Sequence, residues 1–432
     1  MPKKFVDMFA GLGGFHVGLT RLGHHGVFAC ESNSALRDVY KLNFGLEPHH
    51  DIRKLRSDRV PTHDVMCAGF PCQPFSKAGE QLGLACEKDG DLFDHLLRVI
   101  KYRRPTYLIL ENVANLERHN RGKTYGGMRR RLERLGYSID QRVLSPHRFG
   151  IPQIRDRLFI VGSLRGLDHF EWITGSDTRP SIFDVLDDDP PDAKHIPDHY
   201  KKCIAVWQEF LDLFPMDTEL PSFPIWSMEF GANYPFENAA PAVLGLKALA
   251  DYRGSHGKPL CDLPPRRRME GLPSYARERK FPAWKQQFIR QNRELYTNHR
   301  QWIDKWLPRI LEFPPSLQKL EWNCKGLPRQ ICNHVLQFRA SGLRVKSSSA
   351  APALIAMTTT QVPIIAAQER YMTVRECSRL QGMGELKHLP LVSTRAYRAL
   401  GNAVNADIVS KIAERLVGRA VIVSAGSSNS LS

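Results

Sequence analysis

Four apolar runs in the first third of the chain each end at a residue able to do chemistry. "KFVDMF" leads into the glycine turn of "AGLGGF", "VFAC" ends at Glu31, "DVMCAG" leads into "FPCQPFS", and "TYLIL" ends at Glu111 and Asn112. Gly11, Gly13 and Gly14, between a strand and a helix, let a ligand approach the backbone and leave helix N–H groups free. Their spacing is not G-x-G-x-x-G, so a dinucleotide fingerprint is not implied. Glu31, at the end of the next strand, is placed to accept hydrogen bonds from a ribose, and with the glycine turn it points to a nucleoside-containing cofactor. Cys72 stands between Pro71 and Pro74, each of which removes an N–H and fixes φ, as suits a rigid loop rather than a strand interior. A thiol held that way suggests covalent catalysis by the thiolate. Cys67, inside its strand, reads as an inert core residue. A carboxyl such as Glu111 at the end of a buried strand is costly unless hydrogen-bonded or functional, and burial raises its pKa toward that of a proton donor for a heterocycle. Arg155 and Arg157, two apart in "QIRDRLFIVG", would share a strand face and form a fork for a phosphate, a carboxylate or a base, with a solvated basic edge as the even alternative. Asp51 in "HHDIRKL" reads as a helix cap or as a polar contact to an adenine.

The elements that must position these groups alternate. Short apolar strands are separated by amphipathic stretches such as "DLFDHLLRVIKY" and "GGMRRRLERLG", a pattern that implies an α/β fold with a doubly wound, mostly parallel sheet. In that architecture ligands bind beyond the carboxyl ends of the strands, where all four segments deliver their chemistry. Residues 1–165 are therefore expected to form a catalytic and cofactor-binding domain. After "QIRDRLFIVGS" the text becomes proline-rich and charged, so residues 166–393, including 371–382, are expected to form a second, irregular domain. Residues 394–418 read as an amphipathic helix returning to the first domain, and 419–432 as a disordered tail.

Composition narrows the partner. The chain has 432 residues, with 61 Lys and Arg against 45 Asp and Glu, a formal charge of +16. Such a surface attracts polyanions, nucleic acid first and an acidic membrane surface second. No apolar run approaches the roughly 18 residues of a membrane span, and no secretory leader is evident. The nine cysteines are scattered without C-x-x-C or Cys/His zinc spacing, which argues for free thiols in a reducing cytoplasm and for no metal.

In order, "FVDMFAGLGGF", "GFPCQPFS", "ENV", "QIRDRLFIVG", "RECSRLQG" and "GNAVN" make a signature that strongly resembles the DNA cytosine-5 methyltransferases, over residues 4 to about 163 and about 370 to 416. The resemblance implies an S-adenosylmethionine-dependent enzyme of the restriction-modification type. It implies that Cys72 adds to C6 of a cytosine flipped out of duplex DNA while Glu111 donates to N3, with Arg155 and Arg157 orienting the base and Gln73 and Ser76 shaping the thiol loop. For the cofactor it implies Phe9, Gly11, Leu12, Gly13 and Gly14 around the methionine part, Glu31 at the ribose, Asp51 and Ile52 at the adenine, Pro71 and Leu92 in the wall, and Asn402 and Val404 from the C-terminal segment. The long middle region is expected to recognise the target. Arg339, Arg344, Lys346, Thr358, Thr359, Thr360 and Arg375 are the candidate DNA contacts, and the enzyme is expected to act as a monomer, with any cognate restriction endonuclease working independently. Two departures stand out: Asp89 where an arginine often precedes the loop glycine, and "MGELKHLP" where a Phe–Pro pair usually follows "RLQG". An RNA cytosine-5 methyltransferase and a catalytically silent DNA-binding regulator are the alternatives on the same residues.

Overall fold

The strands that open the chain are buried on both faces, which is why they read as continuous apolar runs. A computed structural model describes residues 1–71, 92–176, 180–349, 351–354 and 362–420. In chain order the first unit holds β1 (Lys4–Met8), α1 (Gly14–Thr20), β2 (His25–Cys30), α2 (Ser34–Phe44), β3 (Val65–Gly69), α3 (Leu92–Arg103), β4 (Tyr107–Val113), α4 (Asn115–Arg118), α5 (Lys123–Glu133), β5 (Ser138–Leu144), β6 (Gln153–Ile154) and β7 (Arg157–Ser163). The main sheet has the order β2-β1-β3-β4-β7-β5. β2, β1, β3 and β4 pair in parallel, and β7 and β5 complete one edge antiparallel. The register places Gly69 beside Glu111. Thus the strand leading to the Cys72 loop ends next to the strand carrying the acid.

The second unit begins at Pro191 and is more regular than its sequence suggests. It contains α6 (Asp198–Leu213), β8 (Ile225–Trp226), α7 (Pro241–Leu244), α8 (Ala283–Ile310), β9 (Lys319–Asn323), β10 (Val335–Arg339) and β11 (Gly342–Lys346). β12 (Ala351–Pro352) pairs with β6 in the first unit, and β13 (Ile364–Ile365) and β14 (Arg370–Tyr371) return to the second. Its six-stranded mixed sheet runs β14-β13-β10-β11-β9-β8. Leu320, Leu336, Phe338, Leu343 and Val345 from one face of that sheet share a core with Trp207, Phe210, Ile303 and Trp306 of α6 and α8. Short 3-10 turns dominate the stretch between β8 and α8.

Two expected boundaries are corrected. The first unit continues to Pro190 rather than 165 and takes in everything from Thr373 onward. Trp172 and Ile173 belong to its core, and the Trp172 indole N–H donates to Asp140 at 2.8 Å. α9 (Val374–Leu380) also belongs here. Thr373 and Glu376 cap it reciprocally, and Glu376 accepts the Asp187 N–H at 2.9 Å. The C-terminal segment is two helices rather than one, α10 (Ser393–Asn402) and α11 (Ala406–Val417). Asn405 breaks the run by capping α11 through the Ile408 N–H. α11 packs Ile408, Val409, Ile412 and Ala413 against Phe15 and Leu19 of α1. Gly18 permits this approach, since a Cβ there would lie 2.6 Å from Val409 Cγ1. The departing "MGELKHLP" segment docks on the first unit, with Glu385 bridged to Arg21 at 2.6 Å and His388 and Asn43 exchanging hydrogen bonds. Among the described residues no helix is long and apolar enough to cross a membrane.

Candidate active site

The carboxyl ends of β1, β2, β3 and β4 open into one cavity of about 760 Å³ within the first unit. Its wall brings together Phe9, Gly11, Gly14, Glu31, Pro71, Glu111, Arg155, Arg157, Asn402 and Val404 from the expected set. A second cavity of about 150 Å³ is lined by Asp51, Ile52 and Leu92, and shares Phe9, Ser32 and Pro71 with the first. Cys72, Gln73 and Ser76 lie outside the described residues, as do Thr358, Thr359 and Thr360. Pro71, which immediately precedes Cys72 in the chain, lines both cavities.

The glycine turn is a left-handed excursion. Phe9, a non-glycine residue, has φ 59°, and Gly11 has φ 55°. Such a conformation costs a bulky residue on the order of 1–3 kcal/mol, and strain of this kind concentrates at functional sites. A Cβ at Gly11 would meet nothing nearer than the Phe9 carbonyl at 4.0 Å, so the backbone there faces open space. Gly14 differs, because its missing Cβ makes room for the Val404 carbonyl. Gly13 and Leu12 are not wall residues. Gly13, with φ 85°, caps α1 and leaves space for the Phe44 and Tyr40 rings, and the Leu12 side chain is buried.

Glu31 staples the turn to the end of β2. One carboxylate oxygen accepts the Gly11 N–H at 2.9 Å and the other the Asn33 N–H at 2.8 Å. The second of these oxygens also accepts the Ser32 hydroxyl at 3.5 Å, so it is the oxygen bonded to Gly11 that keeps a lone pair for a ligand hydroxyl. Asp51 accepts the Arg53 N–H at 2.9 Å and its side chain at 3.1 Å. Burial opposes ionisation of Asp51, but the Arg53 hydrogen bonds and charge outweigh it and hold its carboxyl below the usual range.

Glu111 is 7% exposed, and burial raises its pKa even though Arg157 and Arg155 both oppose the shift. Arg157 Nε lies 3.0 Å from a Glu111 oxygen. The neighbouring Asn112, buried beside it, donates its side-chain amide to the Phe70 carbonyl at 3.2 Å. That bond ties the start of the Cys72 loop to the strand that carries the acid. Arg155 does not share a strand face with Arg157, because it falls between β6 and β7. Its guanidinium donates to the carbonyls of Leu354, Gly401 and Ala403 at 2.8 to 3.1 Å. The expected fork is corrected: Arg157 addresses Glu111, and Arg155 clamps the C-terminal segment that brings Asn402 and Val404 to the cavity.

Arg375, expected at the DNA, also has internal partners. Its guanidinium holds the Gly384 and Leu386 carbonyls after α9. Arg339, Arg344 and Lys346 share one face of the second unit's sheet by their register. Sequence reasoning missed Ser32, Asn33, Arg395 and Arg398, which also line the main cavity. The α10 signal was available in its spacing, since 395, 398, 399 and 402 follow the helical repeat and all reach the wall.

Comparison with known proteins agrees with this geometry. The sequence profile described as C-5 cytosine-specific DNA methylase matches residues 3–210 and 272–418. The chain is 35% identical to the Type II methyltransferase M.HaeII of Haemophilus aegyptius over 53% of its length and 70% of that protein. It is 29% identical to the Type II methyltransferase M.AluI of Cellulosimicrobium cellulans over 96% of its length and 92% of that protein. The fold is similar to that of a solved Entamoeba histolytica methyltransferase, with TM-score 0.52 at 14% identity, covering 96% of this chain and 98% of that one. The chain therefore belongs to the C-5 cytosine-specific DNA methylases and is a DNA cytosine-5 methyltransferase.

Proposed function

We propose that the protein methylates C5 of a cytosine extruded from a specific duplex DNA sequence, through a covalent bond between Cys72 and C6, and that it protects that DNA from a restriction endonuclease. The observation that carries this reading is the cavity whose wall holds the glycine turn, Glu31, Pro71 and a buried Glu111 whose pKa burial raises. The residues fit S-adenosylmethionine: Gly11 has no neighbour where a Cβ would stand, and Glu31 keeps acceptor capacity at the ribose position. When bound there, S-adenosylmethionine supplies an electrophilic methyl group on its sulfonium.

The chain's own residues make the cytosine nucleophilic. Cys72, as thiolate, adds to C6 while Glu111 gives its proton to N3 and holds the exocyclic amino group, which moves electron density to C5. Arg157, 3.0 Å from Glu111, keeps the carboxyl oriented and stabilises the carboxylate left after proton donation. Once C5 carries the methyl, its proton passes to solvent, the thiolate leaves C6 and N3 returns its proton to the Glu111 carboxylate, leaving 5-methylcytosine. A stacked base is out of reach, so binding must offset an unstacking cost of about a few kcal/mol. Relatives described as Type II methyltransferases support the protective role.

Incubation with labelled S-adenosylmethionine and duplex DNA tests the reading. Methylation is expected in DNA and is expected to be abolished in Cys72→Ser with DNA binding retained. A duplex carrying 5-fluorocytosine at the target should trap a covalent complex. Label appearing only in tRNA, or turnover by Cys72→Ser, would overturn it.

A further inference from the structure

The second unit's sheet packs one apolar face on α6 and α8; its other face carries the buried Val335, Ile365 and Gln337 together with a group of part-exposed charged side chains. By register, Arg339, Gln337 and Arg344 stand on that other face of β10 and β11, with Lys346 two residues beyond Arg344 and Glu321 beside it on β9. Three cations therefore meet one carboxylate. Arg344 uses its Nε to donate to Glu321 Oε2 at 2.6 Å, and among the described residues neither terminal nitrogen has a partner. Arg339 and Lys346 form no ion pair among the described residues. Burial, together with their mutual repulsion through Arg344, pushes the pKa of both down. Three cations sharing one carboxylate in a partly dehydrated place lower stability, and a polyanionic partner would reverse that cost.

An exposed arginine on a phosphate needs no fixed orientation. Arg344 has one: its side chain is 29% exposed, and Glu321, at 14%, fixes the plane of the guanidinium through Nε. What remains is the two-pronged terminal fork, whose geometry matches the O6 and N7 acceptors on the major-groove edge of guanine. Resting on the DNA methyltransferase reading above, we propose that Arg344, oriented by Glu321, determines specificity by reading a guanine of the recognised sequence, and that Arg339 and Lys346 hold the flanking phosphates.

The test uses the full chain. Bisulfite sequencing of a random duplex library methylated in vitro first defines the target. Each guanine of that target is then replaced in turn by 7-deazaguanine, which removes N7, and kcat/KM is measured for the wild type, Arg344→Ala, Arg344→Lys and Glu321→Gln. One substitution is expected to cost the wild type about 5- to 150-fold and to cost Arg344→Ala nothing further, with Arg344→Lys and Glu321→Gln intermediate. Binding of the same duplexes by anisotropy gives the same comparison for a variant too slow to assay, and thermal melting confirms that it is folded. Equal sensitivity of wild type and Arg344→Ala to every replacement, or a wild type indifferent to all of them, would mark a phosphate contact at most and overturn the assignment. Absence of DNA methylation by the wild type would instead sink the underlying reading.

Discussion

Glu111 sits where ionisation is disfavoured by burial and only partly restored by Arg157 and Arg155. A carboxyl in that position can donate a proton at a pH where an exposed glutamate could not. Glu111→Gln keeps the shape and loses the proton, so single-turnover methylation should slow by about 10²- to 10⁴-fold while affinity for S-adenosylmethionine is unchanged. The wild-type rate should fall as pH rises through the elevated Glu111 pKa, because the donor is then lost, and the variant should lack that limb. Linkage has the same sign: a folded pKa above the unfolded one means stability is fully present at low pH and lost as pH rises through the folded value. The acid was legible in the sequence as a carboxyl closing an apolar strand. The division of labour between Arg155 and Arg157 was not, because a two-residue spacing implies a shared face only inside a strand, and Arg155 precedes β7.

At the scale of elements, the cavity depends on how closely α1 meets the segment between α10 and α11. Gly14→Ala would drive a Cβ into the Val404 carbonyl. It should cost about 1–3 kcal/mol of stability, read by denaturant melts, and weaken cofactor binding by displacing Asn402 and Val404. His16 of α1 supplies a pH signature. Burial pushes its pKa from the ordinary 6.5 to about 4, and its ring bonds the Tyr40 hydroxyl at 2.7 Å and stacks on Phe44. A depressed folded pKa means the contribution is present above 6.5 and is lost as pH falls toward 4. The difference in pKa corresponds to about 3 kcal/mol. Thermal melts of His16→Gln should show a shallower decline across that window than the wild type. The strands and most helices could be read from periodicity, but not the break at Asn405, because an amphipathic run does not reveal a cap until the carbonyls on either side find their partners.

For the whole molecule, the charge of +16 predicts binding dominated by phosphate contacts. If 6–10 are neutralised, affinity for duplex DNA should fall by about 10³- to 10⁵-fold between 50 and 200 mM salt. Anisotropy titrations across that range measure the slope. An affinity indifferent to salt would remove DNA as the partner implied by the charge. Domain division was the part of this scale that the chain text obscured. Residues 166–190 are rich in acidic residues, yet Trp172 and Ile173 anchor them in the first core, and α9 is drawn to the same unit through Glu376 and Arg379.

By itself the sequence determined the chemistry and the class of sheet, because a thiol between prolines, a strand-end acid and a glycine turn are local patterns whose order also carries a family signature. Only the tertiary structure decided which of these groups share a wall. It set Gly13 against the Phe44 and Tyr40 rings, Arg155 as a clamp on the C-terminal segment and Arg375 on the loop after α9. It also paired Arg344 with Glu321, 23 residues away along the chain. Those outcomes depend on which distant carbonyl, ring or carboxylate a folded chain places within reach, and no spacing along the sequence records that.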